Sequence, residues 1–224
     1  MTPSPTHSET PDPPTAPRRS RRDEYAEQTR QAVVDAARTL FAQRGYFATT
    51  VNDIAEASRV SPGTVYQQCG GKQGLLRTLV DTWTTSALVQ QTLDLIKAAD
   101  SVEAMLQVLA GAYLEFFHQF DDIIQVILAT APHDAEATAA LGQATIRHRT
   151  ALHEIARRAS ELGSFPAHFS DDDFVDLTLY HYGPQSGYHF TVAVLGWSEP
   201  RAREFLHTQF SRSLRDATTA NDVP

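Results

Sequence analysis

The sequence predicts an all-α protein in two parts, a small unit of short helices followed by a longer helical bundle. Three features carry that expectation. Residues 23–44 place Val33, Ala37, Leu40 and Phe41 at i, i+4, i+7 and i+8, with Asp35, Arg38 and Gln43 on the opposite side. Two short capped segments follow within a few residues of each other, one opening at Thr50 and the other at Ser61-Pro62. From Leu75 onward, long apolar stripes recur at helical spacing, with clear breaks at Pro132, at Gly163–Pro166 and around Gly183–Gly187.

Composition sets the outer bounds. A chain of 224 residues with 42% hydrophobic content can bury one large core, or a small and a larger one. The single cysteine, Cys69, cannot form an intramolecular disulfide, and no basic start followed by an apolar run marks a signal peptide. The longest apolar runs fall far short of the ~20 residues a membrane span needs. A cytoplasmic protein without a membrane partner is expected.

The net charge of −8 is unevenly placed. Residues 1–22 carry four arginines against Glu9 and Asp12, residues 23–80 balance, and the acidity belongs to residues 81–224. Phosphate binding depends on local potential, so an acidic distal part is compatible with a nucleic-acid-binding end.

In chain order, residues 1–22 read as a disordered Pro-rich arm that ends in the cluster Arg18, Arg19, Arg21 and Arg22. Such an arm reaches phosphates or the minor groove, or else is simply solvated. Residues 23–71 form the small unit. Gly45 ends its first helix, Thr50 caps the second with Asp53 three residues on, and the third runs from Pro62 to about Gln68 before Gly70-Gly71. Three helices in this order, the last two joined by a tight turn, make a helix-turn-helix.

The chemistry suits DNA. Ser61, Pro62, Gly63 and Thr64 open the third helix with small groups, so its backbone can approach base edges or phosphates. Tyr66, Gln67 and Gln68 follow with hydrogen-bonding tips, and Gln67 is suited to bidentate pairing with adenine. Asn52 lies in the first turn of the second helix, and Lys72 follows two glycines at the start of the fourth. Each of these side chains could equally be a solvated polar group on a short exposed helix.

The segment from Arg30 to Leu79, with AARTLFAQRGYFATTVNDIAEASRVSPGTVYQQCGGKQGLL within it, resembles the DNA-binding domain of the TetR family of transcriptional regulators. The resemblance rests on the AAxxLFxxxGY pattern, the TTVxDIA step, the VSxGTVY helix and the GxK entry to the next helix. It implies an all-helical homodimer that binds a double-stranded DNA operator, with a C-terminal bundle that takes a small-molecule effector. By position, Thr50 and Asn52 match the first turn of the second helix, Ser61 to Thr64 the base-facing start of the recognition helix, and Tyr66, Gln68 and Lys72 the phosphate-holding places. Three residues depart from the pattern. Gln68 stands where His or Tyr is usual, Cys69 where a Phe packs, and Arg59 where a Gly relieves the turn.

Residues 72–217 read as the bundle and 218–224 as a disordered tail. The spacing predicts one helix from Lys72 to about Ala98, then Val102–Phe120, a shorter segment from Asp122 to Ala131, Asp134–Leu162, Asp171–Gly196 with a kink or break at Gly183-Pro184, and Glu199–Arg215. The resemblance implies that the last two helices pair with their symmetry mates. Polar aromatics near the break (Tyr180, His181, Tyr182, Tyr188, His189) and in the middle of the bundle (Tyr113, Phe116, Phe117, His118) are candidates for an effector site, or simply core and interface.

An enzyme is not expected. No two histidines stand at i+3 or i+4, GPQSG lacks the spacing of a nucleophile elbow, and GGKQ lacks the ends of a phosphate loop. No cofactor or metal is implied. The sequence thus supports a DNA-binding regulator, most directly a repressor released by a small molecule. The alternative is a DNA-bound structural or recruiting factor without a ligand pocket.

Overall fold

In the computed structural model, which describes residues 21–163, 165–166 and 168–219, the first apolar stripe becomes helix α1 (Arg21–Arg44). Val33, Ala37, Leu40 and Phe41 are buried along it, as their spacing requires. Arg21 and Arg22 form its first turn instead of ending an arm. Asp23 and Glu24 follow in that turn, where carboxylates complement the partly positive helix end. The remainder of the expected arm, with Arg18 and Arg19, lies outside the described residues.

Gly45 ends α1 with φ +83°, and the buried Thr49 hydroxyl hydrogen-bonds the carbonyl oxygens of Gly45 (2.9 Å) and Leu40 (3.3 Å). That pins the chain's return. Helix α2 (Val51–Ala57) opens with a full capping box: Asp53 N–H donates to Thr50 Oγ1 (3.1 Å), while Thr50 N–H (2.7 Å) and its hydroxyl (2.6 Å) donate to Asp53 Oδ2. Helix α3 (Pro62–Cys69) starts with Thr64 N–H donating to Ser61 Oγ at 3.1 Å and with Pro62 where a missing N–H costs nothing. Between them Arg59 has φ +57°, the left-handed conformation that glycine adopts without strain.

Helix α4 (Gly71–Thr84) begins directly at the end of α3. A Cβ on Gly74 would lie 1.8 Å from the Cys69 carbonyl oxygen, so only glycine permits this backbone approach. Leu75, Leu76, Leu79 and Val80 close a core with Phe41, Ile54 and Val65. Fully burying a side chain such as Phe41 or Leu75 contributes about 1.5–3 kcal/mol.

Beyond this unit the structure corrects two helix boundaries. The expected single helix to Ala98 is broken at Thr85-Ser86 into α4 and α5 (Ala87–Ala98). Thr82, Thr84 and Thr85 turn their hydroxyls back onto carbonyls four residues earlier, and the Ser86 hydroxyl oxygen caps α5 by accepting from Leu88 N–H. Conversely, the expected break before Asp122 is absent, and α6 runs unbroken from Val102 to Thr130. Asp121 and Asp122 look like a helix start, yet both are used mid-helix to bind neighbouring elements.

A 3-10 turn (Ala131–His133) leads to α7 (Ala135–Leu162), capped by Asp134. Helix α8 (Asp171–Tyr182) ends at Gly183, and a π-helical segment (His189–Val194) follows, as the Gly183-Pro184 break predicts. Helix α9 (Glu199–Thr219) extends past the expected end at Arg215, so residues 218 and 219 are helical and the rest of the supposed tail is outside the described residues. Among the described residues there are helices and turns but no strand.

Two buried clusters result. One joins α1–α4 to Phe120, Ile123, Ile124 and Ile127 of α6, and the other unites α5, the first half of α6, α7, α8 and α9. Helix α6 belongs to both.

Two stability effects follow from the turn and cap geometry. Replacing Arg59 with Gly should raise unfolding free energy by about 0.5–1 kcal/mol by relieving the left-handed strain. Thr50→Ala should lower it by about 1 kcal/mol through loss of the box. Urea unfolding measures both.

Candidate nucleic-acid interface and ligand cavity

The α2–turn–α3 surface presents the expected residues unevenly. Asn52, Ser61, Pro62, Gly63, Tyr66 and Gln67 are exposed on one outer face, while Val65 is buried beneath. Tyr66 is 61% exposed, high for so large a side chain. Gln68 is half-buried. Thr64 is also half-buried, and its hydroxyl shares one hydrogen bond with Ser61 Oγ (2.9 Å), so one of the two hydroxyl hydrogens remains available to a partner.

Thr50 differs from what its position implies. Its N–H and hydroxyl both donate to Asp53, so its donors are spent on the cap and are not free for a phosphate. The same bonds hold the Asp53 carboxyl below the usual range. Lys72 is held too. Its ammonium sits 4.4 Å from the centre of the Tyr46 ring, and burial lowers its pKa. This fixes the lysine at the edge of the α2–α3 face. Exposed Arg44 and Arg59 add two cations; Arg59 stood out in the sequence only as a turn residue, and Arg44 not at all. Cys69 is half-buried against the core, and burial pushes its thiol up, away from the reactive thiolate.

A cavity of about 390 Å³ lies between α4–α8 and the π-helical segment, within the size range of small-molecule sites. Tyr113, Phe116, Phe117 and Tyr188 line it, as anticipated. His118, Tyr180 and His181 do not. On α6, residues 113, 116 and 117 share one face, and His118 is turned about 100° away, where its Nε2 meets Glu199 Oε1 at 3.0 Å. On α8, Leu179 and Tyr182 face the cavity, so Tyr180 is turned out, 75% exposed, and His181 meets Ser213 Oγ.

The cavity's polar groups include several the sequence reasoning missed. His148 Nε2 and Tyr113 OH are 2.9 Å apart, and Tyr113 stacks on Tyr182 with ring centres 4.9 Å apart at 8°. Burial pushes His148 down to about 4 and drives Tyr113 upward, so the pair is neutral at physiological pH. A signal existed: His148 falls on the stripe of Leu141, Thr145, Leu152 and Ile155, a polar residue on an otherwise apolar helix face. Asp121 also lines the cavity, and its carboxylate accepts from His189 Nδ1 at 2.9 and 3.0 Å. The Gln125 amide donates to Asp121 Oδ1 (3.2 Å) and to the Pro184 carbonyl (3.0 Å), which ties the broken region to α6.

One turn position away, Asp122 grips the other unit. Arg38 of α1 donates from Nε and Nη2 to its two oxygens, each at 2.7 Å, and from Nη2 to the Gln119 carbonyl. This two-pronged pair is worth on the order of 1 kcal/mol at such partial exposure. Helix α4 makes a second link: its Leu75–Val80 face packs in the helix-turn-helix core, while Trp83 and Thr84 wall the cavity.

A family profile described as "Bacterial regulatory proteins, tetR family" matches residues 33–79. The HTH-type transcriptional repressor Rv3405c of Mycobacterium tuberculosis is 31% identical over 137 residues, covering 56% of this chain and 70% of that protein. The chain belongs to the TetR family. Other relatives match only in part. The regulator HbdR of Aromatoleum is 36% identical over 61 residues, 25% of this chain and 27% of HbdR. The TetR fold extends through the bundle: the solved SmeT–triclosan complex superposes with a TM-score of 0.62 over 83% of this chain and 91% of SmeT, at 16% identity.

Within the TetR frame, His148 gives a pH signature. Its folded pKa is depressed, so the unfolded chain binds the extra proton first and stability falls as pH drops from about 6.5 to about 4. Above that window the contribution is constant. His148→Asn, which cannot titrate, should remove up to about 3 kcal/mol of this acid sensitivity. The check is the pH dependence of urea unfolding for both proteins.

Proposed function

We propose that this protein is a sequence-specific transcriptional repressor, acting as a homodimer on a palindromic operator and released from it when a small molecule fills the cavity. The supporting observation is that α4 and α6 each contribute both to the cavity wall and to the core beneath the DNA-reading helices. A ligand that changes the spacing of these helices must also change how α3 is presented. Ligand and DNA then weaken each other by the same factor.

The DNA-reading role falls to Gln67, Tyr66 and the start of α3, with Asn52 and Lys72 at the margin. Dimerisation falls to the outer face of the last elements. Tyr180, Phe190, Val194, Leu195 and Phe205 are large apolar side chains left exposed on α8, in and just after the π-helical segment, and on α9, which a second copy would cover. A twofold dimer sets its recognition helices about 34–36 Å apart, one DNA turn, and so reads inverted half-sites. The cytoplasm is the matching location, and among the described residues no helix is long and apolar enough to cross a membrane. The cavity favours this reading over a bundle that works through protein partners alone.

Selecting DNA from a random pool with the purified protein should yield an inverted repeat; a pool without enrichment would contradict the proposal. Gln67→Ala should relax base preference at one position per half-site and cost about 1–3 kcal/mol there. Uniform weakening on all sequences would assign Gln67 to the backbone. Phe190→Glu should shift the protein to monomer in sedimentation and weaken operator binding.

A further inference from the structure

The charges around the cavity do not cancel. Two arginines stand on its wall, and each is already engaged: Arg147 with Asp81 at 3.6 Å, and Arg149 with Asp176 at 2.7 Å and Asp172 at 3.4 Å. His148 is kept uncharged by burial. That leaves Asp121, whose side chain is 23% exposed. Its partners are the His189 imidazole and the Gln125 amide, and among the described residues no lysine or arginine pairs with it. Arg38 pairs with the neighbouring Asp122 instead. A carboxylate held by an imidazole and an amide is well oriented, but neither partner carries the permanent positive charge of a lysine or arginine.

The surrounding wall has the same electrostatic bias. Tyr113 and Tyr182 are stacked, and Tyr188 lies with its ring centre 6.3 Å from both Tyr182 and Phe117. Aromatic faces carry negative charge density and attract cations, most strongly where water is excluded. Arg203 of α9 acts on Tyr182 and Tyr188 from behind the wall but does not line the cavity, so an anionic ligand would meet Asp121 with no lysine or arginine beside it to offset the repulsion. A neutral ligand would fit the apolar wall but leave the carboxylate as it is.

We propose that the effector is a lipophilic organic cation, an amine or quaternary ammonium compound with an aromatic or bulky apolar body, whose charged head faces Asp121 and whose body lies along Tyr113, Phe117 and Tyr188. This rests on the reading of the cavity as the effector site. His189 is a positioning residue: its Nδ1–H, 2.9 and 3.0 Å from the two carboxylate oxygens, fixes the orientation of Asp121.

Three probes on one two-ring frame separate the possibilities by calorimetry on the full-length protein: 4-phenylbenzyltrimethylammonium, 4-phenylbenzyl alcohol and 4-phenylbenzoate. The cation should bind at least about tenfold more tightly than the alcohol, and the benzoate should bind most weakly. Asp121→Asn keeps the shape and an acceptor for His189. It should cut the cation's advantage to about threefold or less while leaving the alcohol's affinity within about twofold. Should that variant fold poorly, the ranking of the three probes on the natural protein decides by itself. Alcohol or benzoate binding as tightly as the cation, together with release of selected operator DNA, would overturn the charge inference and leave the effector cavity standing. Binding of none of the three, with operator affinity unchanged, would overturn both.

Discussion

The guanidinium of Arg38 lies across Asp122 with both prongs engaged and a third bond to the Gln119 carbonyl, and this contact sets the relation between the two halves of the molecule. Around it Phe120, Ile123, Ile124 and Ile127 of α6 join the same core as Val33, Ala37 and Phe41 of α1. The apolar packing supplies most of the adhesion, since it is large and undirected. The ion pair supplies direction, because a forked guanidinium tolerates little rotation of α6. The helix-turn-helix therefore rests on an element that also walls the cavity.

The consecutive acids of α6 divide two tasks. Asp121 faces the cavity with His189 and Gln125, and Asp122 faces α1. Successive helix positions differ by about 100°, so one short stretch of helix meets both neighbours. Helix α4 repeats the arrangement lengthwise, with its first turns in the helix-turn-helix core and Trp83 in the cavity wall. Rotation or translation of either helix by a ligand would be transmitted without an intermediate, because the same backbone carries both contacts. This is a physical route between sites and needs no chain of small displacements.

How much of this was legible in the sequence differs by region. The helix-turn-helix was, since its caps, its glycine stops and its apolar stripe are local signals, and even the strained turn at Arg59 could be placed. The bundle was less so. The end of α4 at Thr85 has neither Gly nor Pro, only hydroxyl side chains that fold back on the helix, and Asp121-Asp122 resembles a helix start because its partners, His189 and Arg38, are 68 and 84 residues away. The ligand wall was half legible for the same reason. Tyr113, Phe116 and Phe117 share a helix face, whereas the turning of Tyr180 and His181 away from the cavity depends on which side of α8 meets α7 and α9. Thr50 shows the opposite limit: its capping role was legible from Asp53 three residues on, but not that its N–H and hydroxyl both go to that carboxylate and leave no donor for a phosphate.

Coupling of the cavity to DNA through α6 and Arg38 is read most directly from the coupling factor between the two ligands. The affinity of a cavity ligand is measured on the free protein and on the protein bound to its selected operator, for the natural sequence and for Arg38→Met. Operator should weaken ligand binding by at least about fivefold in the natural protein, and the factor should fall in the variant, where only the α4 link remains, while each ligand still binds alone. Full coupling retained in Arg38→Met would contradict this route.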